Sequence, residues 1–212
     1  MKKIITLFII AFSCLSASAQ GLSPLQGTER SEAIAFLQKS NSLDVPMMME
    51  FKTTRRSPML KDALEGTGRA AFCFPDKLRW ESTSPKSNIF ILNGNMVYMG
   101  TPEAMTSMDI SSNRRFQSIA RSLSRLKDSG LLNEEDFDMK IFRTSDIYRV
   151  EMVPLRRDLS QMFSNMVILA HGKSGEVFSI TLSGVNGDTS VIKVTSSRRG
   201  CTIPDSTFKP GL

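Results

Sequence analysis

The stretch from Gly66 to Asn95, GTGRAAFCFPDKLRWESTSPKSNIFILNGN, constrains the fold more than any other part of the chain. Thr67 to Phe74 alternates, with Ala70, Phe72 and Phe74 on one face, and Pro75-Asp76 breaks the run as a turn. Lys77 to Ser82 alternates again. Its Leu78 and Trp80 point one way and Lys77, Arg79 and Glu81 the other, the pattern of an antiparallel strand with one wet face. Ser84-Pro85 ends that strand, and Asn88 to Leu92 runs into Asn93-Gly94, a dipeptide that tolerates the positive φ angles of a tight hairpin turn. Three consecutive antiparallel strands with aromatic side chains on one face imply a curved sheet.

The remaining elements arrange themselves around that sheet. Thr28 to Ser40 reads as a short amphipathic helix with Ala33, Ile34 and Leu37 inward and Glu32, Gln38 and Lys39 outward. Met47 to Arg55 reads as a strand with Met47, Met49, Phe51 and Thr53 on one face, and a first meander is complete by Tyr98. From Gly100 the period changes, with Met105 and Met108 scattered. Ser111 to Asp128 then takes helical period, with Phe116, Ile119, Leu123 and Leu126 in one stripe and Arg114, Arg115, Arg121, Arg125 and Lys127 on other faces. A helix of this kind covers a sheet; a basic one can also touch an acidic membrane surface. Strands resume at Phe137 to Arg143, Ile147 to Val153, Met162 to Ala170, Glu176 to Ser183 and Ser190 to Thr195, with Pro154 to Gln161 as a charged connection. Beyond Ser196 the tail has no clear period, and Phe208 is expected to pack along a sheet edge.

The first residues form an export signal. Lys2 and Lys3 precede the apolar Ile4 to Phe12, and Ala17-Ser18-Ala19 is a small-residue cleavage site before Gln20. Losing the two lysines lowers the formal charge from +6 to +4, a mildly basic balance that demands no polyanionic partner. Cys14 offers an alternative, lipid-anchored N-terminus, though Ala11-Phe12-Ser13 fits a lipobox poorly. Residues 1–19 are therefore expected to be a signal peptide and 20–212 a single domain. Cys73 in a strand and Cys201 in an irregular tail are in a compartment that permits a disulfide, but nothing in the spacing brings them together, and the sequence leaves their pairing open.

Catalytic and metal chemistry finds little support. The one histidine, His171, sits in a turn with no ligand set around it, and HGKSG lacks the spacing and following helix of a phosphate-binding loop. Glu134, Glu135, Asp136 and Asp138 lack the glycine and oxygen spacing of a calcium loop. Basic residues are not interleaved with the aromatic platform that single-stranded nucleic acid requires. No cofactor, metal or nucleic acid is expected, and no enzyme activity. What remains is apolar surface: Phe51, Phe72, Phe74, Leu78, Trp80, Ile89, Ile91 and Val97 are assigned to one inner face, which could be a filled core or a ligand cavity. Thirteen methionines suit either, since Met adapts both to irregular cores and to flexible apolar ligands.

The blocks GTGxxxFxxPDKLRW (Gly66 to Trp80), SPKSNIFILNGNMVYMGTP (Ser84 to Pro102) and VILAHGKSGEVFSITLSGVNGDTSVIKV (Val167 to Val194) resemble the periplasmic carriers of outer-membrane lipoprotein sorting, the LolA family. The resemblance runs from the first helix to the last hairpin. It implies a mainly β fold with short α-helices, an unclosed antiparallel half-barrel lidded by amphipathic helices, the lid being the stripe Phe116, Ile119, Leu123 and Leu126. The eight inner-face residues would then bind lipoprotein acyl chains. Implied partners are acylated lipoproteins, an inner-membrane ATP-driven releasing complex and an outer-membrane receptor lipoprotein; a monomer is expected. A membrane-anchored acceptor of the same fold, or a carrier of another acyl or polyene lipid, are alternatives. One position departs from the family: many members carry Arg just before the proline of the first block, to latch the empty lid, and here that position is Phe74.

Overall fold

A computed structural model describes residues 23–112 and 132–211. The elements are α1 (Gly27–Ser40), β1 (Met47–Arg56), β2 (Leu64–Cys73), β3 (Lys77–Ser84), β4 (Asn88–Asn93), β5 (Met96–Thr101), β6 (Ala104–Asp109), a 3-10 turn Ile110–Ser112, β7 (Phe137–Arg143), β8 (Ile147–Pro154), α2 (Arg157–Ser160), β9 (Asn165–His171), β10 (Val177–Ser183), β11 (Thr189–Arg199) and a second 3-10 turn Asp205–Phe208. The eleven strands among the described residues form one antiparallel sheet in the order β6-β5-β4-β3-β2-β1-β11-β10-β9-β8-β7. It is two meanders joined by the β1–β11 pairing, and β6 and β7 stand at opposite ends, so the sheet is not closed. This is the mainly β, unclosed half-barrel that the resemblance implies.

One face is organised by α1. Ala33, Ile34 and Leu37 pack on Met139, Ile141, Tyr148, Val150, Met152, Ile168 and Ala170, all 7% exposed or less. Burying Ile34 and Leu37 stabilises the docking by roughly 1.5–3 kcal/mol each. Register explains why the sheet presents an apolar row to the helix: Ile192, Ile180, Ile168, Val150 and Ile141 stand directly opposite one another across five strands. Polar contacts fix the helix ends. Arg30 donates to the Met139 carbonyl at 3.3 Å, and Gln38 to that of Leu132 at 2.8 Å. At the C-terminus, Asn41 Nδ2 donates to the carbonyls of Leu37 and Gly175, each at 2.8 Å, while its Oδ1 accepts the Val177 N–H at 3.0 Å. Gly175, at φ +73, lies so close that a Cβ there would meet Ser40 Oγ at 2.4 Å. The HGKSG turn is thus the seat of α1, and His171 rests on Phe178, ring centroids 4.6 Å apart.

The opposite face is covered by the C-terminal tail, and here the structure departs from expectation. Phe208 does not pack along an edge; it is 1% exposed, over Ala71, Ile89 and Ile91 on the face of β2 to β4. Lys77 reaches Asp205 at 2.7 Å, Arg79 donates to the Thr207 carbonyl at 3.2 Å and Asn93 to that of Phe208 at 3.2 Å. Three polar residues on one face of the first meander therefore clip the tail down. Other differences have local causes. β6 is hidden in a polar sequence, AMTSMD, and shows itself only by pairing with β5. β11 runs four residues past Thr195, because Ser196 to Arg199 pair with Met47 to Glu50, although both faces there are polar. β9 starts at Asn165 rather than Met162, after α2 within the charged connection. Cys73 and Cys201 are not bonded to each other. The stripe Phe116, Ile119, Leu123 and Leu126 lies outside the described residues, as do the N-terminal segment and Cys14.

Candidate functional site

Register across the first meander decides which side chains share a surface. On the α1 face, Met49, Ala70, Trp80, Phe90, Met99 and Thr106 stand opposite one another from β1 to β6. The neighbouring row is Met47, Phe72, Leu78, Leu92, Val97 and Met108. Twelve positions in register contain a single polar residue, Thr106. Six strands with five gaps of ~4.8 Å make this ladder ~24 Å wide, longer than the ~15 Å that one leaflet of a ~30 Å hydrocarbon core gives a lipid chain.

The ladder is only partly covered. Leu78, Leu92 and Val97 are buried with Ile110, while Phe72, Phe90 and Met99 against them are half-buried, as are Met47, Met49, Trp80 and Phe74. At one end Phe51, 1% exposed, lies flat over Gly68, where a Cβ would stand 2.3 Å from its ring, and stacks on Trp80 with centroids 4.4 Å apart and planes at 28°. The glycine is therefore the space that the Phe51 ring occupies. At the other end Phe74 stacks on Phe72, centroids 6.0 Å apart and planes at 9°. The residue that departs from the family's arginine extends an aromatic wall and brings no polar latch there.

Six of the eight residues assigned to one inner face, Phe51, Phe72, Phe74, Leu78, Trp80 and Val97, are brought together. Ile89 and Ile91 are not. They pair with Glu81 and Arg79, which places them on the tail face beneath Phe208, 2% and 0% exposed. The cause is the sequence NIFILN, which is apolar on both faces, so alternation cannot orient β4. Phe90, Leu92 and Met99 take their places. Pairing β4 with the unambiguous β3 would have found them, because Trp80 must stand opposite an α1-face residue.

The tail face of the same strands is polar by contrast. Glu81, 6% exposed, accepts from Arg69 at 3.1 Å through each oxygen and from Arg79 Nε at 3.0 Å. Burial would push the Glu81 carboxyl up, but the two guanidiniums outweigh it and hold it below its ordinary value. Among the described residues no group of three or more His, Cys, Asp and Glu is placed to hold a metal. None of the described helices is long and apolar enough to cross a membrane.

An open antiparallel sheet with an apolar face partly covered by a helix is a build suited to apolar ligands. Residues 46–211 match the family described as outer membrane lipoprotein carrier protein LolA, and the chain belongs to that family. No curated protein matches. Among solved structures, an uncharacterized conserved protein from Thermus thermophilus is similar at 10% identity and TM-score 0.51, over 85% of this chain and 92% of that one. A LolA superfamily protein from Nitrosomonas europaea is similar at 9% identity and TM-score 0.46, over 84% and 96%. A putative outer membrane lipoprotein-sorting protein domain from Vibrio parahaemolyticus is similar at 10% identity and TM-score 0.44, over 84% and 96%.

Proposed function

We propose that the protein is a periplasmic carrier that holds the acyl chains of lipoproteins against the α1-face ladder and shuttles them from the inner to the outer membrane. The observation that carries this reading is the pair of apolar rows from β1 to β6, whose aromatic members Phe72, Trp80 and Phe90, with Phe74 stacked on Phe72, are only half-buried. Acyl chains gain roughly 25 cal/mol for each Å² of apolar surface they remove from water, so a chain crossing an aqueous compartment needs such a wall. Membership of the lipoprotein-carrier family supports the same cargo. Binding and release require no covalent step, and the protein is not an enzyme.

Residues 1–19 serve as the export signal and 20–212 as one carrier domain acting as a monomer. It takes lipoproteins from an inner-membrane ATP-driven releasing complex and gives them to an outer-membrane receptor lipoprotein. Mass spectrometry of the protein purified from a periplasmic extract tests the reading. Acylated polypeptides should copurify, and their amount should fall when Trp80 and Phe72 are both changed to Ser. A mature protein that starts at a lipidated Cys14, or cargo retention indifferent to the double substitution, contradicts it.

A further inference from the structure

The tail face holds a separate cavity of about 420 Å³, and its lining is unlike the ladder on the other side. Two adjacent rows build it. Arg198, Met48, Ala71 and Arg79 stand opposite one another across β11, β1, β2 and β3, and beside them run Ser196, Glu50, Arg69 and Glu81. Ala71 is the smallest side chain in the first row and is covered by Phe208, so the space opens beside it over Met48, between guanidiniums from three strands and the tail at Thr207.

We propose that this cavity binds a small organic anion, a carboxylate or phosphate group carrying a short apolar chain. Arg198 and Arg69 take the charged group, and the half-buried Met48 takes the apolar part. The charge balance favours it. One carboxylate, Glu81, serves both Arg69 and Arg79, and with Glu50 and Arg198 the described residues of the cavity bring three guanidiniums against two carboxylates. Arg198 is exposed, and its guanidinium makes no hydrogen bond or ion pair among the described residues. Arg69 is 59% exposed along its side chain and uses Nε and Nη2 on Glu81, which leaves Nη1 without a partner among the described residues. A planar guanidinium presents five N–H donors in a fork that matches carboxylate and phosphate oxygens. Arg79, with a side chain 6% exposed and bonded to Glu81 and Thr207, is the fixed positive charge behind them. This site faces away from the α1-face ladder and is independent of acyl-chain carriage.

The arginine Nε–H signals of the ¹⁵N-labelled full chain test the proposal, with hexanoate, hexyl phosphate, inorganic phosphate and hexanol as probes. Saturable shifts of Arg69 and Arg198 with hexanoate or hexyl phosphate are expected, and which of the two binds tighter assigns the anion. Arg198→Ala, an exposed position that leaves the fold intact, should weaken binding about tenfold, as loss of a charge-assisted hydrogen bond implies. Hexanol should leave the arginine signals in place. Inorganic phosphate binding as tightly as hexyl phosphate overturns the apolar half of the proposal. Shifts confined to the Trp80 indole, or arginine shifts unchanged in Arg198→Ala, overturn it entirely.

Discussion

Gly68→Ala probes the corner of the ladder with one methyl group. An ideal Cβ at this position falls 2.3 Å from Phe51 Cζ and 2.5 Å from the Glu81 carbonyl oxygen, so both a ring and a backbone atom are in the way. The carbonyl belongs to β3 and cannot retreat without breaking the sheet. Phe51, 1% exposed and stacked on Trp80, is the group that must move. Overpacking a filled core costs ~1–3 kcal/mol, and loss of the aromatic pair ~0.5–1.5 kcal/mol, so the substitution should destabilise by about 2–4 kcal/mol. Urea unfolding followed by fluorescence reads this directly, because Trp80 is the only tryptophan. With a slope of ~1–3 kcal/mol per M, the midpoint should fall by ~1–2 M, and the native emission should shift as Phe51 leaves the indole. Gly94→Ala is the control: it has open space around the added Cβ and meets only the strain of φ +57, so its emission should stay native. An unchanged midpoint with unchanged emission in Gly68→Ala would refute the claim that Phe51 occupies the glycine's space.

Glu81→Gln removes the buried carboxylate that Arg79 and Arg69 share, and loss of one partner from such a buried pair typically costs ~3–5 kcal/mol, read by thermal or urea unfolding. The pH profile gives a second reading. Because Glu81 titrates lower when folded than when unfolded, its contribution is complete above the ordinary carboxylate range and disappears as pH falls through the folded value. Stability measured from neutral pH down past about 4 should therefore fall less steeply in Glu81→Gln than in the parent. Asn41→Ala removes three hydrogen bonds that seat α1 and should cost ~1–3 kcal/mol, with faster amide exchange in α1 than in β3. Phe74→Arg breaks the stack on Phe72 and should change the release rate of a fluorescent fatty acid; equal rates in the two proteins would count against a role for the aromatic wall in release.

Much of the architecture was legible because its strands alternate. β3 orients itself, with Leu78 and Trp80 against Lys77, Arg79 and Glu81, and Gly94 marks the β4–β5 turn with φ +57. The half-barrel topology was legible through the family resemblance and not through period alone. What stayed hidden was information carried by partners. β4 is buried on both faces, so only pairing with β3 shows that Phe90 and Leu92, rather than Ile89 and Ile91, belong to the ladder. The polar ends of β6 and β11 are strands because of the neighbours they pair with. The guanidinium cluster of the tail face joins Arg69, Arg79 and Arg198, and no local pattern reveals that residues so far apart in the chain stand in adjacent rows.

The central claim is that the α1 face of the first meander is an acyl-chain wall, and Trp80 stands in the middle of it. Titration with a fatty acid brominated along its chain measures contact with that wall, because bromine quenches an indole only at close range. Saturable quenching is expected, weakened when Phe72 and Phe90 are changed to Ser and reversed by an unbrominated chain. Emission that stays constant up to the solubility limit of the fatty acid, in a protein shown to be folded, would contradict the account.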